Sequence, residues 1–96
     1  MQVLHKEHNK KLRPIGIDIF SGAGGLSLGF EQAGFDIRYA IECDKYAAET
    51  YRNNRKNKNV NVDIRDIREI SPKEVINKLG IKKGELDIVV GGPPCQ

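Results

Sequence analysis

A thiol, two acids and a cluster of glycines are the residues of this chain whose types and spacing could do chemistry. Cys95 stands in the run Gly91-Gly92-Pro93-Pro94-Cys95-Gln96. Two prolines fix the backbone there and two glycines let it turn, so the thiol is presented rigidly. Such presentation suits a nucleophile, although a cysteine packed in a core is the plainer alternative. Phe20-Ser21-Gly22-Ala23-Gly24-Gly25 lets the backbone turn sharply and approach a ligand, and it also fits a bare strand-to-helix connection. A dinucleotide-binding GxGxxG loop would need glycine at position 27, where Ser27 stands, so that match fails. Glu42 suits a carboxylate that accepts hydrogen bonds from both hydroxyls of a ribose; a helix-capping acid is the alternative. Asp63 could accept a hydrogen bond from an adenine amino group, or serve as a loop acid or cap.

These residues must be positioned by the elements around them. Pro14 to Phe20 is apolar and β-rich, and Ser21-Gly22 ends it. Gly25 to Ala33 spaces Leu26, Leu28, Phe30 and Ala33 among polar residues and predicts an amphipathic helix. Phe35 to Ile41 predicts a second strand. Asp44 can cap a helix to about Arg55, with Tyr46, Ala47, Thr50 and Tyr51 inward. Val60 to Val62 is a short third strand. Ser71-Pro72-Lys73-Glu74 has the cap, first-turn proline and capping-box acid of a helix start. Leu86 to Val90 is a fourth strand. Strand and helix alternate as in βαβ units, which predicts an α/β fold with a Rossmann-like, doubly wound parallel sheet. Each chemistry-bearing segment follows a strand, so all four project onto the carboxyl edge of that sheet, where such folds bind ligands.

Bulk properties bound the rest. The 96 residues suit one domain, expected as a flexible basic tail over 1–13 and a folded part over 14–96. The chain carries a net charge of +3, part of it in the tail and part in Arg52, Arg55, Lys56 and Lys58. That balance fits a nucleic-acid partner, although a solvated helix end followed by a polar loop is the plainer reading. Cys43 and Cys95 are expected as free thiols, and His5 and His8 as solvated tail residues, so no metal site is expected. No apolar run has the length of a membrane span or the pattern of a signal peptide, which points to a cytoplasmic protein.

Together these motifs resemble those of the cytosine carbon-5 DNA methyltransferases, from about Ile15 to Gln96. Asp18-Ile19-Phe20-Ser21-Gly22-Ala23-Gly24-Gly25 is similar to the family's first motif, Ile41-Glu42-Cys43-Asp44 to the second, Asp63-Ile64-Arg65-Asp66 to the third and Gly91 to Gln96 to the fourth. Two positions depart: Cys43 stands where a bulkier residue is common, and Val62 where glycine is frequent. The resemblance implies S-adenosylmethionine as cofactor. Phe20, Ser21, Gly22, Gly24 and Gly25 would wrap its methionine portion, and Glu42 and Cys43 would meet the ribose and adenine. Asp63 and Ile64 would contact adenine, with Pro93 beside the cofactor. It further implies Cys95 as nucleophile, and Pro94 and Gln96 beside a flipped cytosine of double-stranded DNA. The setting implied is bacterial restriction-modification. A tRNA cytosine methyltransferase and a nucleotide-binding module without catalysis are the alternatives. The motifs cover the N-terminal half of such a catalytic domain. Residues 14–96 are therefore expected to be partial, cut off after the nucleophile. Alone they are expected to be inactive without a C-terminal portion or a complementary chain.

Overall fold

The computed structural model describes residues 13–92. Four strands form one sheet: β1 (Ile15–Asp18), β2 (Asp36–Ile41), β3 (Asn61–Asp63) and β4 (Ile88–Val90), in the order β3-β2-β1-β4. All three pairings are parallel, with a register shift between Gly16 and Ile17. Helix α1 (Gly25–Gln32) links β1 to β2, and α2 (Lys45–Asn53) links β2 to β3. A 3-10 turn over Ile67–Glu69 and helix α3 (Pro72–Leu79) carry the chain across to β4. Because β2 and β4 leave β1 on opposite sides, the strand order reverses at β1. A crevice at the carboxyl ends of the strands is expected at that reversal.

Local chemistry sets the helix ends. Asp44 Oδ1 accepts the Tyr46 N–H at 2.9 Å and caps α2. Ser71 Oγ accepts the Glu74 N–H at 3.2 Å and caps α3, with Pro72 in the first turn. Each such cap supplies about 1 kcal/mol. Beneath α3, Ile17, Tyr39, Ile41, Val75 and Leu79 form a buried cluster, with Ile19, Ile67, Ile70, Ile81 and Leu86 packed against it. Asp18 and Ala40, both fully buried, alternate to the opposite face of the sheet, where α1 and α2 lie.

On that second face the helices sit differently from their apolar spacing. Leu26 and Leu28 are exposed, as is Ala33, and the buried residue of α1 is Ser27. On α2, Ala48 and Tyr51 are buried, while Thr50 is exposed and Tyr46 is 80% exposed. The reason in both cases is Asp18: a buried carboxylate at the end of β1 needs polar partners, and Ser27 with Tyr51 supplies them. Arg55, grouped by sequence with a solvated basic cluster, is buried for a related reason given below.

Candidate functional site

The strand ladder continues past β1 and β2 and fixes the loop that follows each. Ile19 N–H donates to Val90 O at 2.9 Å, Ser21 N–H to Ile41 O at 3.1 Å and Glu42 N–H to Asp63 O at 3.0 Å. The glycine loop therefore begins pinned to the end of β2. Glu42 closes the junction from the other side. Its Oε1 accepts the Gly22 N–H at 2.8 Å and its Oε2 accepts the Asp44 N–H at 2.9 Å. Segments twenty residues apart in sequence thus meet at one carboxylate.

Beside that junction is a hollow of ≈ 480 Å³ at the carboxyl edge, lined by Phe20, Cys43, Arg65 and Arg68 together with Ile19, Ile41, Asp66 and Ile67. Its walls are mostly apolar with a few charged groups at the rim, as in small-molecule sites. Phe20 and Cys43, both expected near a cofactor, line this hollow, and Cys43 is exposed. Gly24 and Gly25 open instead onto a neighbouring hollow of ≈ 310 Å³ with Leu28, Asn54 and Lys58. Gly91 follows β4 and lies against Ile19 and Phe20, so the fourth motif leads to the same edge. The expected nucleophile Cys95, with Pro93, Pro94 and Gln96, lies outside the described residues, as does the tail apart from Arg13.

Asp63 is differently engaged. Arg65 grips its carboxylate with both Nε and Nη2, at 2.9 and 2.8 Å, and Tyr39 OH donates to it at 2.5 Å. Lys78 Nζ stands 3.7 Å away, and Arg65 also pairs with Glu74. Hydrogen bonds from Arg65 hold the Asp63 carboxyl at about 2, well below the usual range. Burial, with Asp63 next to it, pushes Tyr39 up to about 12. The acid thus fastens β3 to β2 and α3. Ile64 follows it, half-buried and outside the lining of the hollow.

Behind the glycine loop is a set of polar side chains that motif reading missed. Ser27 Oγ donates to Asp18 Oδ2 at 2.6 Å, and Tyr51 OH donates to Ser27 Oγ at 2.9 Å. Asp18 Oδ1 takes no hydrogen bond of good geometry among the described residues. Burial accordingly pushes the Asp18 carboxyl up, against the lowering effect of Ser27, the nearby Phe20 N–H and Arg55. Arg55 stacks its guanidinium 4.0 Å from the Tyr51 ring centre, donates to Gly24 O at 2.8 Å and stands 3.4 Å from Glu31. The four-residue spacing of Tyr51 and Arg55, one helical turn, was a usable signal that both share a face.

Among the described residues no group of His, Cys, Asp and Glu is arranged to hold a metal ion. No described helix is long and apolar enough to cross a membrane.

Comparison with known proteins gives concordant matches. The family model for C-5 cytosine-specific DNA methylase matches residues 15–96. The type II methyltransferase M.HindV of Haemophilus influenzae is 49% identical over 80 residues, covering 83% of this chain and 24% of that protein. M.XorII of Xanthomonas oryzae is 46% identical over 84 residues, covering 88% of this chain and 19% of that protein. A solved E. coli prophage protein, assigned as a DNA modification methyltransferase, superposes with a TM-score of 0.71 at 35% identity. That superposition covers 86% of this chain and 23% of the other. The chain thus spans about a fifth of the length of the curated relatives it matches.

Proposed function

Because the chain belongs to the C-5 cytosine-specific DNA methylase family, we propose that it forms the cofactor-binding front of a DNA (cytosine-5-)-methyltransferase. The observation that carries this reading is the 2.8 Å bond from Gly22 N–H to Glu42, which joins the glycine loop and the acid beside the ≈ 480 Å³ hollow. S-adenosylmethionine is the cofactor of this reading, and the residues fit it. A carboxylate offers about four lone-pair positions, so two backbone donors on Glu42 leave room for two ribose hydroxyls. The hollow falls within the roughly 300–1,000 Å³ of small-molecule sites. Phe20, expected from its motif at the methionine portion, shares the hollow with Cys43 and would flank the adenosine with it. Ser21, Gly22, Gly24 and Gly25 would meet the methionine portion. Ile64 and Pro93 keep the adjacent roles that the family motifs imply. Asp63 could meet an adenine amino group only by sharing an oxygen with Arg65 or Tyr39.

When bound, the cofactor supplies a methyl group on a positively charged sulfur. The chain's own reacting group in this reading is Cys95. Its thiolate adds to carbon 6 of cytosine and raises electron density at carbon 5, which then accepts the methyl group. A base removes the carbon-5 proton and the thiolate leaves. Those ring atoms lie inside the duplex stack, so the cytosine must be flipped out, with Pro94 and Gln96 shaping its pocket. The names of the bacterial relatives support a type II restriction-modification setting, and this reading places the protein in the cytoplasm. The 96 residues alone neither methylate DNA nor hold the cofactor tightly in this reading, because β4 is an edge strand among the described residues and the chain spans only about a fifth of its relatives' length.

The test is a chimera in which residues 15–96 replace the matching segment of M.HindV. It is expected to transfer a methyl group to cytosine in duplex DNA, and Cys95→Ser is expected to abolish transfer. Methylation of tRNA alone, or binding of NAD in preference to S-adenosylmethionine, would overturn the reading. Single-turnover methylation by the isolated chain would overturn the claim that it is inactive alone.

A further inference from the structure

Arg55 is an unusual residue to find in the interior of so small a domain. It is 8% exposed, and taking a guanidinium out of water costs several kcal/mol unless its donors are met. They are met only in part: Nη2 reaches Gly24 O at 2.8 Å, Glu31 is at 3.4 Å, and Nε finds no partner among the described residues. An apolar side chain stacked on Tyr51 would fill the same space without that cost. Stability therefore does not account for an arginine here, and its one close hydrogen bond points to a different role.

That bond ends on the glycine loop. Gly24 holds φ +105°, and its N–H donates to Ser21 O at 2.9 Å. Its α-carbon faces Arg55 and Tyr51 so closely that a Cβ would stand 2.3 Å from Nη1 and 2.9 Å from Tyr51 Cδ2. Tyr51 in turn reaches Asp18 through Ser27, by bonds of 2.9 and 2.6 Å. Asp18 is the residue at which β1 ends and the loop begins. Tyr51 of α2, acting through Ser27 of α1, and Arg55 in the turn just past α2 thus grip the loop at both of its ends, from the side away from the ≈ 480 Å³ hollow.

We propose that Arg55 is a positioning residue for the cofactor loop: seated on Tyr51, it holds the Gly24 carbonyl and fixes the backbone of Phe20–Gly25 in the shape that presents Gly22 to Glu42. The proposal rests on the reading of that loop as the S-adenosylmethionine site. Arg55 acts through the loop and touches no reacting atom. Lysine does not replace it, because an ammonium lacks the planar fork that stacks on a ring and donates sideways at once.

The experiment is amide hydrogen exchange by NMR on the 96-residue chain, comparing Arg55→Lys and Arg55→Met with the native sequence and with the exposed-site control Lys56→Ala. Gly22 and Gly24 report the loop; Ile19 and Glu42, whose amides belong to the sheet ladder, report the fold. Expected is a tenfold or greater acceleration at Gly22 and Gly24, with less than threefold change at Ile19 and Glu42, and no change in Lys56→Ala. Equal acceleration at all four amides, or none at any, would overturn the proposal. If Arg55→Met does not fold, Arg55→Lys carries the same comparison. If neither variant folds, Arg55 is a residue of the fold alone and the proposal fails. A parallel titration with S-adenosylhomocysteine, followed on the same amides, separates the two ideas. The isolated chain is expected to bind weakly, so the titration is also run in the chimera with M.HindV. No binding by the native segment there overturns the cofactor reading, while the exchange data still judge Arg55. Where it binds, a tenfold weaker dissociation constant in Arg55→Lys is expected, and an unchanged one would overturn the cofactor half of the proposal.

Discussion

Replacing Gly24 by alanine tests the loop's support at a single atom. Two costs add at this position. The backbone is held at φ +105° and ψ 16°, outside the left-handed window that alanine tolerates, and such strain costs about 1–3 kcal/mol. The new Cβ would also stand 2.3 Å from Arg55 Nη1 and 2.9 Å from both Arg55 Cζ and Tyr51 Cδ2. Arg55 is the mobile partner and gives way, so the second cost is that of losing its bond to the Gly24 carbonyl. A hydrogen bond from a charged donor contributes about 1.5–3 kcal/mol. The sum is about 2.5–6 kcal/mol, against a total stability of roughly 5–14 kcal/mol for a domain of this size. Gly22→Ala is the control: φ is +52° and nothing stands within 4 Å of its Cβ, so its cost is about 1 kcal/mol. Urea unfolding of the two variants is therefore expected to differ by about 1.5 kcal/mol or more. In an Arg55→Met background the penalty of Gly24→Ala should shrink, since the displaced bond is already gone. Equal costs for the two glycines, within about 0.5 kcal/mol, or full additivity with Arg55→Met, would refute the reasoning.

Four further outcomes follow from the polar contacts. Ser27→Ala removes the donor to Asp18 Oδ2 and the acceptor of Tyr51 OH. With both left buried, it is expected to cost about 2–4 kcal/mol in a urea titration, and a change under about 0.5 kcal/mol would contradict the bonding described. Asp63, held at about 2 in the fold, contributes stability that is present above about 4 and lost as pH falls toward 2. The shift corresponds to at most about 2 kcal/mol, reduced toward about 1 by the partial exposure of Arg65. Asp63→Asn should flatten that acid limb in thermal melts. Tyr39, raised to about 12, has the opposite sign: its contribution is present below 10 and lost as pH rises from 10 to 12. Tyr39→Phe should remove that alkaline limb. Ser71→Ala deletes the α3 cap and is expected to cost about 1 kcal/mol without moving the Gly22 or Gly24 amide signals.

What the sequence disclosed, and what it hid, divides along the distance of each residue's partners. The alternation of apolar runs and turn residues placed β1, β2, β4 and the caps of α2 and α3 to within a few positions, because strand patterning and capping are local. The meeting of the glycine loop with Glu42 was legible too, since parallel strands carry their trailing loops to one edge. Ser27 was visible only as the residue that spoiled a dinucleotide fingerprint. Its burial depends on Asp18 nine positions back and on Tyr51 twenty-four positions on. Arg55 was counted with surface charge, because nothing within its own helix turn says that a glycine thirty-one positions earlier will need its guanidinium. Leu26 and Leu28 belong to the apolar set that predicts an amphipathic α1, yet both are exposed, because the buried acid turns Ser27 inward instead. Asp63 was read without its partner, even though that partner, Arg65, is only two positions away.

That contrast bears on how the site is built. The groups that would meet a ligand, Glu42 and the loop amides, are set by backbone topology and need few side-chain partners. The groups that hold them still are interior and polar, and most draw their bonds from another element. If the loop were rigid by its own backbone, Asp18, Ser27, Tyr51 and Arg55 could all be apolar at no cost to shape, and the domain would gain stability from the exchange. Instead each of the four is buried and bonded, in a chain that runs from the end of β1 to the carbonyl at the start of α1. A glycine-rich turn is conformationally free, and that freedom lets it approach a ligand but leaves its shape undetermined. The buried chain supplies the missing constraint. The mobility of Gly22 and Gly24 should therefore respond to Arg55 far more than to any exposed charge on the same helix end.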